Sequence, residues 1–238
     1  MNTVQAVRYS ANTSLSDVDA SFLGENRYDS SGFCVAGVGD VNGDGYDDFL
    51  IGVSHTGKVH LFFGGASTEW KMDTNISMSD ITFTQASWGD GTGYSVAGLG
   101  DVNGDGFDDF LISAPWGGGS REGITYLFFG KKDGWTKSIS MTNANASFRG
   151  ETSDDLAGYL VQPAGDVNGD GLNDFLIGTD PGKIYLIFGK NSGWTLDTSL
   201  SNADASFISN LGGTGRFSGN GDINGDGLDD IVIGVPDY

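Results

Sequence analysis

Proline is nearly absent from this chain, with 4 in 238 residues, and there are one cysteine, Cys34, and two histidines, His55 and His60. A lone cysteine excludes an intrachain disulfide, and so few thiols and imidazoles exclude a zinc site of ordinary spacing. No Gly-x-Ser-x-Gly elbow occurs. His60 lies in an apolar run whose later counterparts carry Tyr126 and Tyr185, so a packing role is expected of it. The acids Glu151, Asp154 and Asp155 read as a solvated loop, and the chain is read as non-enzymatic. Basic residues number 12 against 32 acidic ones, for a formal charge of −20. That balance argues against nucleic acid and anionic membrane surfaces as partners. No apolar run approaches the roughly 20 residues of a membrane span, and no signal-peptide core follows Met1. If the protein is secreted, the chain is expected to be a mature or excised portion.

Glycine, by contrast, is abundant at 40 residues, and much of it belongs to a loop written four times. The loop reads D-[VI]-N-G-D-G-x-[DN]-D and opens at Asp40, Asp101, Asp166 and Asp222, at steps of 61, 65 and 56 residues. Side-chain oxygens at positions 1, 3, 5 and 9, a carbonyl at 7, and Gly at 6 for the sharp turn make an oxygen cage for Ca²⁺. The expected ligands are Asp40, Asn42, Asp44, Tyr46 and Asp48 in the first loop, and Asp101, Asn103, Asp105, Phe107 and Asp109 in the second. In the third they are Asp166, Asn168, Asp170, Leu172 and Asp174; in the fourth, Asp222, Asn224, Asp226, Leu228 and Asp230. Position 8 (Asp47, Asp108, Asn173, Asp229) varies and is assigned to the rim. The loops hold four, four, three and four acidic residues, nearly half of the 32, so the acidity is largely in register. About four bound Ca²⁺ would leave a net charge of about −12, enough to keep the protein soluble. An EF-hand would need a Glu at position 12 and flanking helices. Position 12 is instead Ile51, Ile112, Ile177 and Ile233, within short runs that read as buried strands.

Four strand candidates recur around each loop. A Gly-aromatic run precedes it, as in Gly93 to Ala97, and an apolar triplet follows it. A third run ends in Phe-Gly, as in Val59 to Gly64, and a fourth is typified by Ala146-Ser147-Phe148. Four short antiparallel strands per repeat of about 60 residues describe an all-β propeller. The expected blades are 31–84, 92–149 and 157–208, with a composite fourth made of 214–238 plus 1–23. Thr3 to Tyr9 would be its third strand and Ala20-Ser21-Phe22 its fourth. Closure within one chain, an eight-bladed ring of two chains (a homodimer) and a piece of a longer propeller all fit these ends. Cys34 aligns with Ser95, Leu160 and Arg216 and is expected to be a packed strand site.

The Gly-aromatic element, the D-x-N-x-D-G-x-x-D loop and Ile112-Ser113-Ala114-Pro115 together resemble the FG-GAP repeats of integrin α-subunit β-propellers. The resemblance implies calcium loops on the lower face of a disc and partners on the opposite face. It departs from the integrin pattern of seven blades, only some holding calcium, because all four loops here are intact. Strand 2–3 and 4–1 connections lie away from the loops and include Tyr28, Trp88 and Trp116, candidates for contact with a protein or glycan ligand. Trp135 and Trp194 hold one place in two repeats and are expected to be structural. The resulting expectation is a calcium-binding, extracellular or cell-surface adhesion module. The alternative is a non-catalytic carbohydrate-targeting or structural domain of a larger secreted hydrolase or lyase.

Overall fold

The computed structural model describes residues 20–66, 71–180, 182–208, 216–219 and 221–234. The first blade consists of β2 (Ser31–Gly39), β3 (Asp48–Val53), β4 (Lys58–Phe62) and β6 (Ile81–Thr84), an antiparallel meander in that order. The second is β7 (Val96–Gly100), β8 (Asp109–Ala114), β9 (Ile124–Phe128) and β11 (Ala146–Arg149). The third is β12 (Leu160–Gly165), β13 (Asp174–Gly178), β14 (Lys183–Ile187) and β16 (Ala205–Ile208). A half-blade follows, in which β17 (Arg216–Ser218) pairs with β18 (Val232–Gly234). The chain is therefore an all-β propeller of four-stranded blades, as the repeat period predicts. Of the composite blade, Phe22 lies in the short strand β1 (Phe22–Leu23), while Thr3 to Tyr9 fall outside the described residues.

The core lies between the blades, and the apolar triplet after each loop explains why. Alternation along a strand sends its first and third residues to one face and the middle one to the other. Leu50 accordingly shares a cluster with Phe110 and Ile112, Leu111 with Phe175 and Ile177, and Leu176 with Ile231 and Ile233. The sheets of the second and third blades are thus buried on both faces by their neighbours. Phe22 packs against Ile51 and Phe62, standing where a blade before the first would stand.

One device carries no fixed motif in the sequence. Between third and fourth strands each repeat inserts a short strand: β5 (Thr74–Asn75), β10 (Ser138–Ser140) and β15 (Thr198–Ser199). These pair in parallel with the fourth strand of the preceding blade, as β1·β5, β6·β10 and β11·β15. Each runs into a single 3₁₀ turn whose first N–H groups are capped by Asn75, Ser140 or Ser199. The turn drives one apolar side chain inward, namely Ile76, Met141 or Leu200. Blades are therefore stitched at the rim as well as packed face to face.

The recurrent Phe-Gly at the end of the third strand has a steric cause. A Cβ on Gly64, Gly130 or Gly189 would press on the backbone carbonyl of Asp47, Asp108 or Asn173 respectively. Gly130→Ala should therefore cost about 1–3 kcal/mol through overpacking. Gly119→Ala, in open space, should change stability by less than about 0.5 kcal/mol. Urea denaturation of the two variants checks the contrast.

Candidate functional site

The four loops are built alike. In the first, Oδ1 of Asp40 accepts the Asp44 N–H at 3.0 Å and its Oδ2 accepts the Gly45 N–H at 2.7 Å. Asn42 Oδ1 accepts the same Asp44 N–H at 2.8 Å, while its Nδ2 donates to Asp44 Oδ2 at 3.0 Å. Asp44 Oδ1 in turn accepts the Tyr46 N–H at 3.0 Å. The bonds from positions 5, 6 and 7 recur at Asp101–Phe107, Asp166–Leu172 and Asp222–Leu228. The carboxyl and amide side chains thus wind the loop around themselves. Gly at positions 4 and 6 takes the positive φ this winding needs, 72° at Gly43 and 90° at Gly45.

Position 9 lies apart. Asp48, Asp109 and Asp174 are fully buried, with each carboxylate held between two backbone donors. Oδ2 accepts from Val41, Val102 or Val167 at 3.0 Å, and Oδ1 from Gly64, Gly130 or Gly189 at 2.8–2.9 Å. Burial pushes these acids up, Asp48 and Asp174 to about 6 and Asp109 to about 8, the two N–H bonds oppose that, and the carboxylates at positions 5 and 1 add to it. Asp230, in the half-blade, accepts from the Ile223 and Asn224 N–H groups. Among the described residues no three His, Cys, Asp or Glu side chains converge as a ready cation cage. Positions 1, 3 and 5 are gathered on one loop, and position 9 is turned inward beneath them. None of the ion pairs among the described residues involves a loop carboxylate.

Position 8 departs from the rim assignment. Asp108 Oδ2 accepts the Asp40 N–H at 2.8 Å, and Asp229 Oδ2 accepts the Asp166 N–H at 2.9 Å. The Asn173 side chain packs beside Gly100, and its N–H donates to the Asp101 carbonyl. Position 8 therefore lies at the seam between successive loops in the second, third and fourth repeats, with Asp108 and Asp229 latching a position-1 N–H through their carboxylates, while Asp47 of the first loop is exposed. The missing charge at Asn173 accordingly lies next to Asp101, in the second loop, as well as in its own.

On the far face the tryptophans divide. Trp88 is 94% exposed and Tyr28 78%, whereas Trp116 is half-buried, edge-on to Tyr94 at 5.2 Å and against Gly91. Trp88, His55, Gln85 and Trp116 line a cavity of about 380 Å³ between the first two blades. Trp135 and Trp194 stack on Phe110 and Phe175 and donate their indole N–H to the Lys131 and Lys190 carbonyls, as structural residues do. His60 is buried, with Nδ1 2.9 Å from Ser79 Oγ. Cys34 donates to the Gly93 carbonyl, and burial pushes its thiol up to about 12, so it is a packing residue. Glu151 pairs with Lys183, Asp154 with Arg121, and Asp155 accepts from the Thr152 N–H and hydroxyl, which leaves those acids structural partners.

Comparison with known proteins agrees with this architecture. Residues 35–62, 92–128 and 214–238 match the FG-GAP repeat. The third blade is not among those segments, although it folds as the others do; Thr179-Asp180 stands there where the second repeat has Ala114-Pro115. The chain is similar to integrin alpha-PS2 of Drosophila melanogaster, at 28% identity over 72% of the chain and 12% of that protein. It is also similar to integrin alpha-4 of Xenopus laevis, at 31% identity over 63% of the chain and 14% of that protein. Integrin alpha-V of Gallus gallus is 28% identical over 66% of the chain and 16% of its own length. The chain thus spans roughly an eighth to a sixth of the relatives it matches. It is a propeller with three segments that match the FG-GAP repeat, integrin-like in sequence. No helix among the described residues is long and apolar enough to cross a membrane.

The buried acids set a pH dependence. Each has a folded-state pKa above the unfolded value of 3.8, so its ionisation is harder in the fold. Their contribution to stability is therefore fullest below pH 3.8 and declines as pH rises to about 8. The EDTA-treated protein should need more urea to unfold at pH 5.5 than at pH 8. A midpoint that rises with pH over that interval contradicts the assignment.

Proposed function

We propose that the chain is a calcium-binding recognition module of the adhesion kind, working outside the cell or at its surface. The observation that carries this reading is the fourfold loop, in which two carboxylates and an amide are wound together beside a third carboxylate that is buried in the first three copies. Such a set is oxygen-only, anionic and without a basic partner among the described residues, which suits a hard cation. Asp40, Asn42, Asp44, the Tyr46 carbonyl and Asp48 would hold the ion in the first loop, and their counterparts in the others. Bound Ca²⁺ supplies positive charge that offsets the mutual repulsion of these carboxylates. Winding through positions 5 to 7 sets three donors of each site before any ion arrives, so little ordering is left to the ion.

Similarity to integrin α chains supports a protein as the partner. The face opposite the loops supports it further, because Trp88 stands free beside a cavity of about 380 Å³. An exposed indole next to flexible glycine backbone suits a contact made by stacking and close approach. A glycan would use the same features, which keeps the carbohydrate-targeting reading as the second one.

Each calcium site contributes RT ln(1 + [Ca²⁺]/Kd), roughly 2.7 kcal/mol at a hundredfold excess over Kd. Several such terms rival the whole stability of a domain, about 5–15 kcal/mol. EDTA should lower the melting temperature markedly and millimolar Ca²⁺ restore it. An unchanged melting curve in a sample shown by metal analysis to be calcium-free would overturn the metal reading. For recognition, the immobilised chain should retain members of a panel of extracellular matrix proteins, and Trp88→Ala should weaken retention at least about tenfold, the loss of about 1.4 kcal/mol. Retention of glycans alone would favour the second reading.

A further inference from the structure

The seam between blades is made three times within the described residues, always from the same parts. The blade ahead presents its loop residue 2 and the middle of its apolar triplet; the blade behind presents its position 8 and the fifth residue before its loop. Where a seam exists, these are buried or half-buried. Val41 and Val102 are 0% exposed at position 2, and Leu50, Leu111 and Leu176 are 0% exposed at the triplet middle. On the opposite side, Val96, Val161 and Phe217 are likewise buried before their loops.

Both halves of a fourth seam are present and uncovered. At the half-blade, Ile223 is 71% and Val232 54% exposed, although their counterparts are the buried residues just named. At the first blade, Val35 is 68% exposed. Asp47, the position-8 residue, is exposed, whereas Asp108 and Asp229 each accept a position-1 N–H. The glycine before each loop repeats the pattern. Gly39, Gly100 and Gly165 lie under a position-8 side chain, but Gly221 has open space around it. The two faces are complementary in kind: apolar to apolar, and a carboxylate to a backbone N–H.

We propose that the half-blade β17–β18 docks on the leading face of the first blade in the same chain, with Asp47 accepting the Asp222 N–H and Val35 covering Val232 and Ile223. The occupant is the chain's own other end because both ends already border one space. Val35 of β2 and Arg216 of β17 line a single cavity of about 380 Å³ together with Tyr94 and Tyr159. The result is a ring of four blades in which the fourth combines β17 and β18 with β1. A seam of this kind is heterologous, so the same surfaces on two chains would also join head to tail.

Asp47→Ala tests this without disturbing an open arc, since an exposed carboxylate among Asp44 and Asp48 has nothing to lose there. In the closed ring it removes a charge-assisted bond and lowers the melting temperature by roughly 3–8 °C, as Asp108→Ala does at an existing seam. The fall should appear both in saturating Ca²⁺ and in EDTA, which separates it from any effect on metal. Val35→Asp should raise hydrogen exchange across residues 221–234, and light scattering should give the monomer mass of 24.9 kDa for the wild-type chain. A wild-type dimer that Val35→Asp converts to monomer would overturn the proposal, placing the seam between two copies. Melting and exchange left at wild-type values by both variants, while Asp108→Ala lowers stability, would also overturn it. Should Val35→Asp fail to fold, Asp47→Ala decides by the sign of its shift.

Discussion

The aspartate at the end of each of the first three loops is the constraint on which the rest of the fold depends. Its two carboxylate oxygens hold one N–H from the start of the loop and one from the glycine that closes the third strand. Loop, second strand and third strand are thereby fixed to one another at a single buried point. A carboxylate in that place is costly to desolvate, and the cost is tolerable because both oxygens are satisfied. Asparagine would keep the shape but turn an amide toward a backbone donor. The same geometry explains why the third strand must end in glycine, because its backbone passes directly beneath the loop it is tied to.

From that anchor the seam between blades follows. With position 9 held inward, position 8 necessarily points outward along the chain, where it meets the first residue of the loop before it. Adjacent residues of one short motif therefore serve two different contacts, one within the blade and one between blades. At Asn173 the seam is met by side-chain packing on Gly100 and by the backbone N–H bond to Asp101, so position 8 tolerates Asn, while position 9 is Asp in all four loops. Face-to-face packing of the apolar triplets then buries both sides of every internal sheet. The rim strands β5, β10 and β15 add backbone hydrogen bonds across the same seams. An arrangement of this sort is nearly one-dimensional, each repeat depending on its neighbours.

Much of this was legible in the sequence because it repeats. The loop, the triplet after it and the Phe-Gly strand recur in register, and each recurrence removes alternatives that one copy would leave open. Trp135 and Trp194 could be read as structural for the same reason. What escaped notice repeats only in kind. The rim strands Thr74–Asn75, Ser138–Ser140 and Thr198–Ser199 share small polar residues but no fixed motif, and their parallel pairing crosses between blades. Variation at position 8 reads as solvent exposure, whereas Asp108, Asn173 and Asp229 lie against the neighbouring loop, two of them through a carboxylate latch. Trp88 and Trp116 looked alike in composition, and only packing against Tyr94 separates the anchored one from the free one.

The pattern of charge now acquires a mechanical meaning. Asp108 sits within the fields of Asp40, Asp47 and Asp101, and burial with those like charges pushes its acid upward. Carboxylates of successive loops therefore crowd one another along one face, while the seams they guard are closed by apolar side chains and a few N–H latches. Repulsion along that face acts to splay the blades, and packing between the triplets acts to hold them. A divalent cation in each loop, as proposed, would shift this balance toward closure without making a single contact across a seam. The loops would then set how firmly the blades are held together, and through them the shape of the face on which Trp88 stands.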